Sequence, residues 1–413
     1  MTKKRTRANS EGSIYPYRNG FAAYVWITTP SGRRQRKYIY GKTRPAVHAR
    51  WVQLSQEAAR GPVLTDVPTV EQYLNRWLEE TVEPNLAPLT HSTYESHVRN
   101  YLIPGIGRHR IDRLRVSDVQ RWLNALPGEC QCCAQGKDAR RAARGRNLAR
   151  CCAVGNCCQS CPSPRTIKDL RTVLRSALSS AMSEELVEKN VAALVKSPKQ
   201  RKRKMVPWSS EEARRFLESA RADKDPMYAG YVLVLVLGMR KGEVLGLTWD
   251  AIDLDAAELV IDHQLQRVRR ALLHRETKTE ASDASLPMPR LVTTALALRR
   301  QEQQADRADV GEAWRGLDQG PRFVFTGRYG RPVDPRTFNR RFTARCSLAG
   351  VRHQTVHDAR RTCATLLVDL DVHPRVIMRV LRHADLSVTM EIYAQASSAA
   401  TTDALRRLGD SLE

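Results

Sequence analysis

Apolar residues keep a strand-like pattern only near the N-terminus and a helical one through most of the remaining chain. The runs Ala22-Ala23-Tyr24-Val25-Trp26-Ile27 and Arg36-Lys37-Tyr38-Ile39-Tyr40 predict two short strands, joined as a hairpin through Pro30-Ser31-Gly32. A helix is predicted over 44–59. From 67 to 198 the spacing is helical: Val70, Leu74, Trp77 and Leu78, then Tyr94, Val98 and Leu102. Pro104-Gly105-Ile106-Gly107 predicts a break, and Ser117 is a candidate N-cap for a helix carrying Val119, Trp122, Leu123 and Leu126. A further helix is expected over Thr166–Ser183, with Leu170, Val173, Leu174, Ala177 and Leu178 on its apolar face.

Beyond residue 206 the rhythm is mixed. Ser209 or Ser210 caps a helix with Glu211 and Glu212 in its first turn, and an apolar helix runs from Tyr228 to Leu237. Leu259-Val260-Ile261 predicts a strand. Leu272–Thr277 and Ser285-Leu286-Pro287 flank a polar turn that holds Lys278, and helices follow to the end. The basic, Pro-containing stretch 196–204 predicts a linker. The expected architecture is multidomain, mainly α with small β-sheets: a small sheet-plus-helix domain over 1–62, a helical domain over 67–198, and a mixed α/β domain over 206–413. A length of 413 residues suits two or three domains.

Charge narrows the class of partner. The formal net charge is +24, and residues 1–60 hold 13 Lys and Arg against Glu11 and Glu57. A surplus of this size implies a polyanion, most simply nucleic acid, with the basic linker lying along phosphates. A membrane surface would be the rival, but no long apolar run or lipidation signal accompanies the charge. The basic start Met1-Thr2-Lys3-Lys4-Arg5 lacks the apolar stretch of a secretory signal, so a cytoplasmic protein is expected.

Eight of the ten cysteines fall in one stretch: Cys130, Cys132, Cys133, Cys151, Cys152, Cys157, Cys158 and Cys161. The surrounding segment 128–165 is basic and poor in large apolar residues, so burial cannot hold it together and a structural metal is a reasonable substitute. Thiolate zinc is the leading candidate, although the irregular spacing lacks the two-plus-two regularity of a zinc ribbon. A flexible basic loop of reduced thiols is the bland alternative. Cys346 and Cys363 read as small core residues.

Four separated boxes carry the chemistry. Gly238-Met239-Arg240-Lys241-Gly242-Glu243 ends the apolar helix. His357 and Arg360 stand three apart and share a helical face. Leu381-Arg382-His383 follows an apolar run, and Tyr393 comes ten residues after His383. Covalent attack on a phosphodiester needs a nucleophile, cationic forks on the non-bridging oxygens, a proton donor and a proton acceptor, and this set supplies them. Any one of these residues alone reads as a cap, a core histidine or a solvated cation; their joint occurrence is what counts.

This set resembles the tyrosine recombinase (phage integrase) family, whose boxes read G-x-R-x-G-E, H-x-x-R and L-G-H followed by Tyr. The resemblance extends to nearly the whole chain, with the N-terminal module similar to the arm-binding domain of lambda-type integrases and 67–198 similar to their helical core-binding domain. The Cys-rich insert is no part of the family pattern. The resemblance implies that Tyr393 attacks the phosphate to give a 3′-phosphotyrosyl bond, Arg240 and Arg360 hold the non-bridging oxygens, and Lys278 protonates the departing 5′-oxygen. It further implies that His357 assists proton transfer, His383 hydrogen-bonds the phosphate, and Glu243 orients Arg240. No cofactor is then required for catalysis, since guanidiniums stand where a metal would. Arg382 replaces the family's usual Gly, and is expected to crowd a tight turn or add a phosphate contact. The implied function is integration, and excision, of a mobile element, by a homotetramer on attachment core and arm sites, with a directionality factor or host DNA-bending protein as further partner. The C-terminal leucines Leu405, Leu408 and Leu412 are expected to dock on a neighbouring protomer. A chromosome-dimer resolvase fits less well with the basic N-terminal module and the insert, and a catalytically silent DNA-binding regulator fits less well with the intact set.

Overall fold

The computed structural model describes residues 14–29, 32–61, 67–145, 148–198, 205–277, 284–316 and 320–382, with Met390, Arg406 and Asp410. The chain divides into two compact units, 1–200 and 201–413.

The first unit opens with a three-stranded antiparallel sheet, β1 (Tyr15–Tyr17), β2 (Gly20–Thr28) and β3 (Arg34–Gly41), in that order. The pairing Trp26↔Arg36 and Tyr24↔Tyr38 matches the hairpin read from the sequence. A helix, Arg44–Arg60, covers one face, where Ala23, Ile27, Ile39, Val47 and Leu54 form a small core. Because side chains alternate along a strand, β2 and β3 turn Tyr24, Trp26, Arg36, Tyr38 and Tyr40 to the opposite face.

A helical body follows, packed on one core that includes Tyr73, Leu74, Trp77, Val98, Leu102, Leu123, Leu170 and Leu174. Its long helix is Pro164–Ser183, capped by Ser163. Two expectations are corrected. The helix carrying Val119 starts at Val116 with Arg115 as N-cap, whose backbone N–H donates to Asp118 at 3.2 Å, so Ser117 lies inside the first turn. Pro104 does not break its helix. Val98–Leu102 widens into a π-turn and the helix continues over Ile103–Ile106. A second π-turn, Leu78–Val82, precedes Pro84 in the same way. Proline offers no N–H and its ring presses on the carbonyl four residues back; a widened turn relieves both faults.

The second unit is built around the helix Tyr228–Val236, buried on nearly every side among Phe216, Leu296, Phe325, Phe338 and Phe342. The helix Ser210–Ala222 starts at a Ser209–Glu212 capping box, as its sequence predicts. Two small sheets lie in this unit. One is ordered β4 (Ile252–Asp253), β5 (Glu258–Ile261), β8 (Ala284–Pro287); the other pairs β6 (His263–Val268) with β7 (Ala271–Glu276). The strands that flank Lys278 therefore do not pair with each other: β7 belongs to one sheet and β8 to the other. Among the described residues no helix is long and apolar enough to cross a membrane.

Gly238 ends the central helix region with φ +57°, and a Cβ there would lie 2.3 Å from Leu381 Cδ2. Leu381 belongs to a small separate cluster with Cys363, Ala364, Val368 and Ile377 that joins the helices Val356–Asp369 and Pro374–Leu381. Gly238→Ala should combine left-handed strain with overpacking and cost about 2–4 kcal/mol, read as a lowered Tm. A Tm equal to wild type would mean that Leu381 is free to move.

Candidate functional site

Backbone geometry places the two arginines. Arg240 is the N-cap of the helix Lys241–Gly246, and its own N–H donates to Glu243 Oε2 at 2.8 Å. Its Nη1 reaches Glu243 Oε1 at 2.6 Å and its Nη2 donates to the Arg382 carbonyl at 3.2 Å. Glu243 is thus held at both oxygens by Arg240, through backbone and side chain. His357 and Arg360 lie in the first turns of the helix Val356–Asp369, which starts at a Thr355–Asp358 capping box. Arg360 is buried, and its two Nη atoms donate to the carbonyls of Gly238 and Leu381. One guanidinium therefore ties three of the sequence boxes together.

Arg382 does sit in the tight turn, but it does not offer the expected phosphate contact. It is the left-handed C-cap of the helix Pro374–Leu381, at φ 52° and ψ 50°, a conformation that explains why glycine suits this place. Its side chain does not reach outward for a phosphate. It is only 3% exposed, donates through Nη1 to the Val380 carbonyl at 3.0 Å, and pairs through Nη2 with Glu243 Oε2 at 2.6 Å. The Glu243 carboxylate bridges Arg240 and Arg382. The sequence offered one signal of this, a charged residue where a left-handed turn is needed, but not the direction of the side chain.

Arg240, Lys241, Asn339, Thr355, His357 and Arg360 line a cleft of about 460 Å³, which Glu243 and Arg382 do not enter. A cleft of about 510 Å³ beside Trp249, His274, Arg300 and Trp314 holds none of the residues of the four boxes. The Arg240 side chain is 42% exposed and open to the cleft, whereas Arg360 forms its floor. Burial, and then the charge of Arg240, push the Arg360 guanidinium down to about 9, which leaves it charged at neutral pH. Burial works against the Glu243 carboxylate, but Arg382 and Arg240 outweigh it and hold its pKa below the ordinary value. His357 keeps solvent-accessible surface, yet the protein packed around it, followed by the Arg360 charge, lowers its pKa, so its imidazole is neutral at pH 7 and able to accept a proton. Loss of hydration also lowers the pKa of the half-buried Lys241 at the cleft edge, a cation the sequence reading passed over. Arg361 follows on the same helix and is partly exposed.

Lys278, His383 and Tyr393 lie outside the described residues, as do Leu405, Leu408 and Leu412. In the insert the structure gathers Cys130, Cys133, Cys152 and Cys157 into one group and Cys132, Cys151, Cys152 and Cys158 into another; Cys161 is in neither. On the N-terminal sheet, the face away from the helix exposes Tyr17, Trp26, Tyr38 and Tyr40. Arg36 stacks over both Tyr24 and Trp26, and Arg34 over Trp26. Charge alone did not disclose that aromatic rings and guanidiniums alternate on one surface.

Two family models match: the phage integrase family over residues 207–399, and the N-terminal SAM-like domain of phage integrases over 69–126. A tyrosine recombinase XerC-like protein of Caldanaerobacter subterraneus subsp. tengcongensis is 25% identical, over 94% of this chain and 96% of its own. An integrase of Streptomyces ambofaciens is 26% identical, over 89% of this chain and 88% of its own. The fold is similar to that of the Tn1549 transposon integrase solved with a circular intermediate DNA, at TM-score 0.62 and 20% identity, covering 83% of this chain and 99% of that one. It is also similar to lambda integrase solved as a tetramer on a Holliday junction, at TM-score 0.53 and 14% identity, covering 94% and 96%. The chain belongs to the phage integrase family of tyrosine recombinases, enzymes that cut and rejoin DNA strands.

The Glu243 bridge has a pH signature. Its folded pKa lies below the ordinary 4.5, so the stability it contributes is complete above about pH 4.5 and is lost as pH falls through the lower folded value. Glu243→Gln, which leaves two guanidiniums short of their partner, should cost about 3 kcal/mol at pH 7. The Tm gap between wild type and variant should narrow as the medium is acidified below that range. A gap that stays constant on acidification would show that Glu243 is not the ionised bridge.

Proposed function

We propose that this protein is a site-specific integrase of a mobile element, acting in the cytoplasm on double-stranded DNA through a 3′-phosphotyrosyl intermediate. The observation that carries the reading is the cleft in which Arg240, His357 and Arg360, from boxes more than a hundred residues apart, stand together. A phosphodiester entering it would meet Arg240 from the open side and Arg360 from the floor. Guanidinium pairs a phosphate bidentately and keeps its charge, so both would stabilise the negative charge that grows on the non-bridging oxygens. Neutral His357 would receive the proton of the attacking Tyr393. His383 would bond the phosphate, and Lys278 would protonate the 5′-oxygen as it leaves. The phosphotyrosyl ester conserves the energy of the broken bond, so a 5′-hydroxyl from another strand can reverse the step and complete exchange without ATP.

Three domains share the work in this reading. The helical and catalytic domains clamp the attachment core, four protomers assemble on two core sites as lambda integrase does on its Holliday junction, and the N-terminal sheet engages arm sites. Support for the last part is the exposed row of Trp26, Tyr38 and Tyr40 interleaved with Arg34 and Arg36. A directionality factor or host DNA-bending protein would complete the assembly.

A nicked suicide duplex carrying the attachment core tests the chemistry. Wild type should trap a covalent protein–DNA adduct, Tyr393→Phe none, and Arg240→Lys should bind normally but cleave about 100-fold more slowly, as expected when an oxyanion-stabilising fork is lost. A wild type that binds without ever forming the adduct would make the protein a regulator and not a recombinase. For the sheet, Trp26→Ala with Arg36→Ala should weaken arm-site binding by about tenfold, near 1.4 kcal/mol, and leave core-site binding unchanged. Equal loss on both sites would remove the arm-binding assignment.

A further inference from the structure

The Cys-rich insert between Gly128 and Pro164 has a defined fold whose shape comes from polar bonds. Cys130 caps the short helix Gln131–Ala134, which carries Cys132 and Cys133, and the helix Lys137–Arg144 follows. The Asp138 carboxylate, fully buried, accepts from the backbone N–H groups of Arg150, Cys151 and Ala153, each at 3.0 Å. That bond set fixes the turn bearing Cys151 and Cys152. Gly155 at φ 84° and Gln159 at φ 47° let the chain double back, and Gln131 N–H donates to the Ser160 carbonyl at 3.0 Å, which brings Cys157 and Cys158 over the first helix.

The sulfurs converge without bonding one another. Sγ separations are 3.8 Å for Cys132–Cys151, Cys133–Cys157, Cys152–Cys158 and Cys130–Cys158, and 3.9 Å for Cys130–Cys152. A disulfide would need about 2.05 Å. Four thiolates at about 2.3 Å from a tetrahedral zinc stand about 3.8 Å apart along each edge; two edges in each four-cysteine group have that length, and all the Sγ atoms of a group lie within 4.8 Å of one another. Hydrophobic packing does not account for the cluster, because Cys133, Cys157 and Cys158 are exposed.

We propose that the insert holds a two-zinc thiolate cluster in which seven cysteines serve as ligands. One ion takes Cys130, Cys133, Cys152 and Cys157; the other takes Cys132, Cys151, Cys152 and Cys158. Cys152 is the shared vertex and bridges the two ions, which reconciles an irregular cysteine spacing with two sets of four thiolate ligands. The triangle of Cys130, Cys152 and Cys158 is where the two sites meet. Seven thiolates around two divalent ions leave an excess of negative charge, and the basic composition of the insert answers it: Arg141 pairs with Asp138 at 3.3 Å and points Nη2 at Cys132 Sγ at 3.9 Å. Thiolates wrapped around an iron–sulfur cubane would stand further apart than these, since each lies outside a different iron. With almost no apolar core of its own, the insert depends on the metal to fold.

Metal analysis and native mass spectrometry of the full-length protein test this directly. Two zinc ions per chain are expected, and cadmium-substituted protein should give two ¹¹³Cd resonances in the thiolate region. Cys161→Ser should keep both ions. Cys133→Ser should weaken one ion towards a chelator, whereas Cys152→Ser should weaken both, each by about 10-fold or more as the fourth ligand is lost. Chelation should expose 128–165, and no other described segment, to limited proteolysis. One zinc or none in wild type, a single cadmium resonance, or iron with visible absorption in place of zinc would each overturn the proposal. Should Cys152→Ser fail to fold, the wild-type stoichiometry and the cadmium spectrum still decide it.

Discussion

One buried carboxylate governs the site. Glu243 is 3% exposed and lies between the guanidiniums of Arg240 and Arg382. Two like charges about 4 Å apart at an effective dielectric near 20 repel by about 4 kcal/mol, so several guanidiniums cannot gather around a phosphate pocket without an anion among them. Placing that anion behind the pocket and not within it leaves the cleft positive. Arg240 is then held by its back while its exposed side faces where a phosphate would lie. Such an arrangement is preorganised: the charges need little reorientation when the reaction starts, and the cost of assembling them is met during folding.

The same network explains why residues so distant in sequence stay in register. Glu243 belongs to the helix after the first arginine, Arg382 to the turn after the helix Pro374–Leu381, and Arg360 reaches carbonyls at both ends, Gly238 and Leu381. Gly238 is needed because Leu381 packs where its Cβ would be. A hydrophobic contact and a set of charged hydrogen bonds therefore fasten the same two segments, Gly238–Glu243 and Leu381–Arg382. The apolar cluster around Leu381 is small, and buried ion pairs by themselves seldom add net stability.

Much of this was legible in the sequence, and what was not has physical reasons. Helical periodicity found the helices of both units because burial of one stripe leaves that imprint. The Ser209–Glu212 pair announced its helix through local capping chemistry. Pro104 misled because a local rule, that proline ends helices, yields where a π-turn absorbs the missing bond and the core on either side, at Leu102 and Ile106, rewards continuation. The segments around Lys278 are neighbours in sequence but not in a sheet: β7 pairs with β6 across the two-residue turn Arg269-Arg270, a local hairpin the sequence reading passed over, whereas β8 pairs with β5, more than 20 residues upstream, which no local window reveals. Arg382 could be flagged as unusual from sequence, but only a backbone shows a side chain turned inward.

In the proposed reaction Arg360 would serve a phosphate while remaining buried. Its two Nη bonds to main-chain carbonyls use only part of a guanidinium that carries five N–H groups, so holding the fold and holding a phosphate need not compete for the same hydrogens. Carbonyl oxygens are neutral acceptors, whereas a phosphate is an anion that a guanidinium can also pair bidentately. Arg360 is therefore a buried cation held on neutral partners at rest, and in the proposed reaction a phosphate would be its anionic one. Arg240 makes the opposite arrangement, held by the Glu243 carboxylate with its side chain 42% exposed. Between them, one arginine is oriented by charge and the other by the main chain, so no single lost contact in the resting protein would release both.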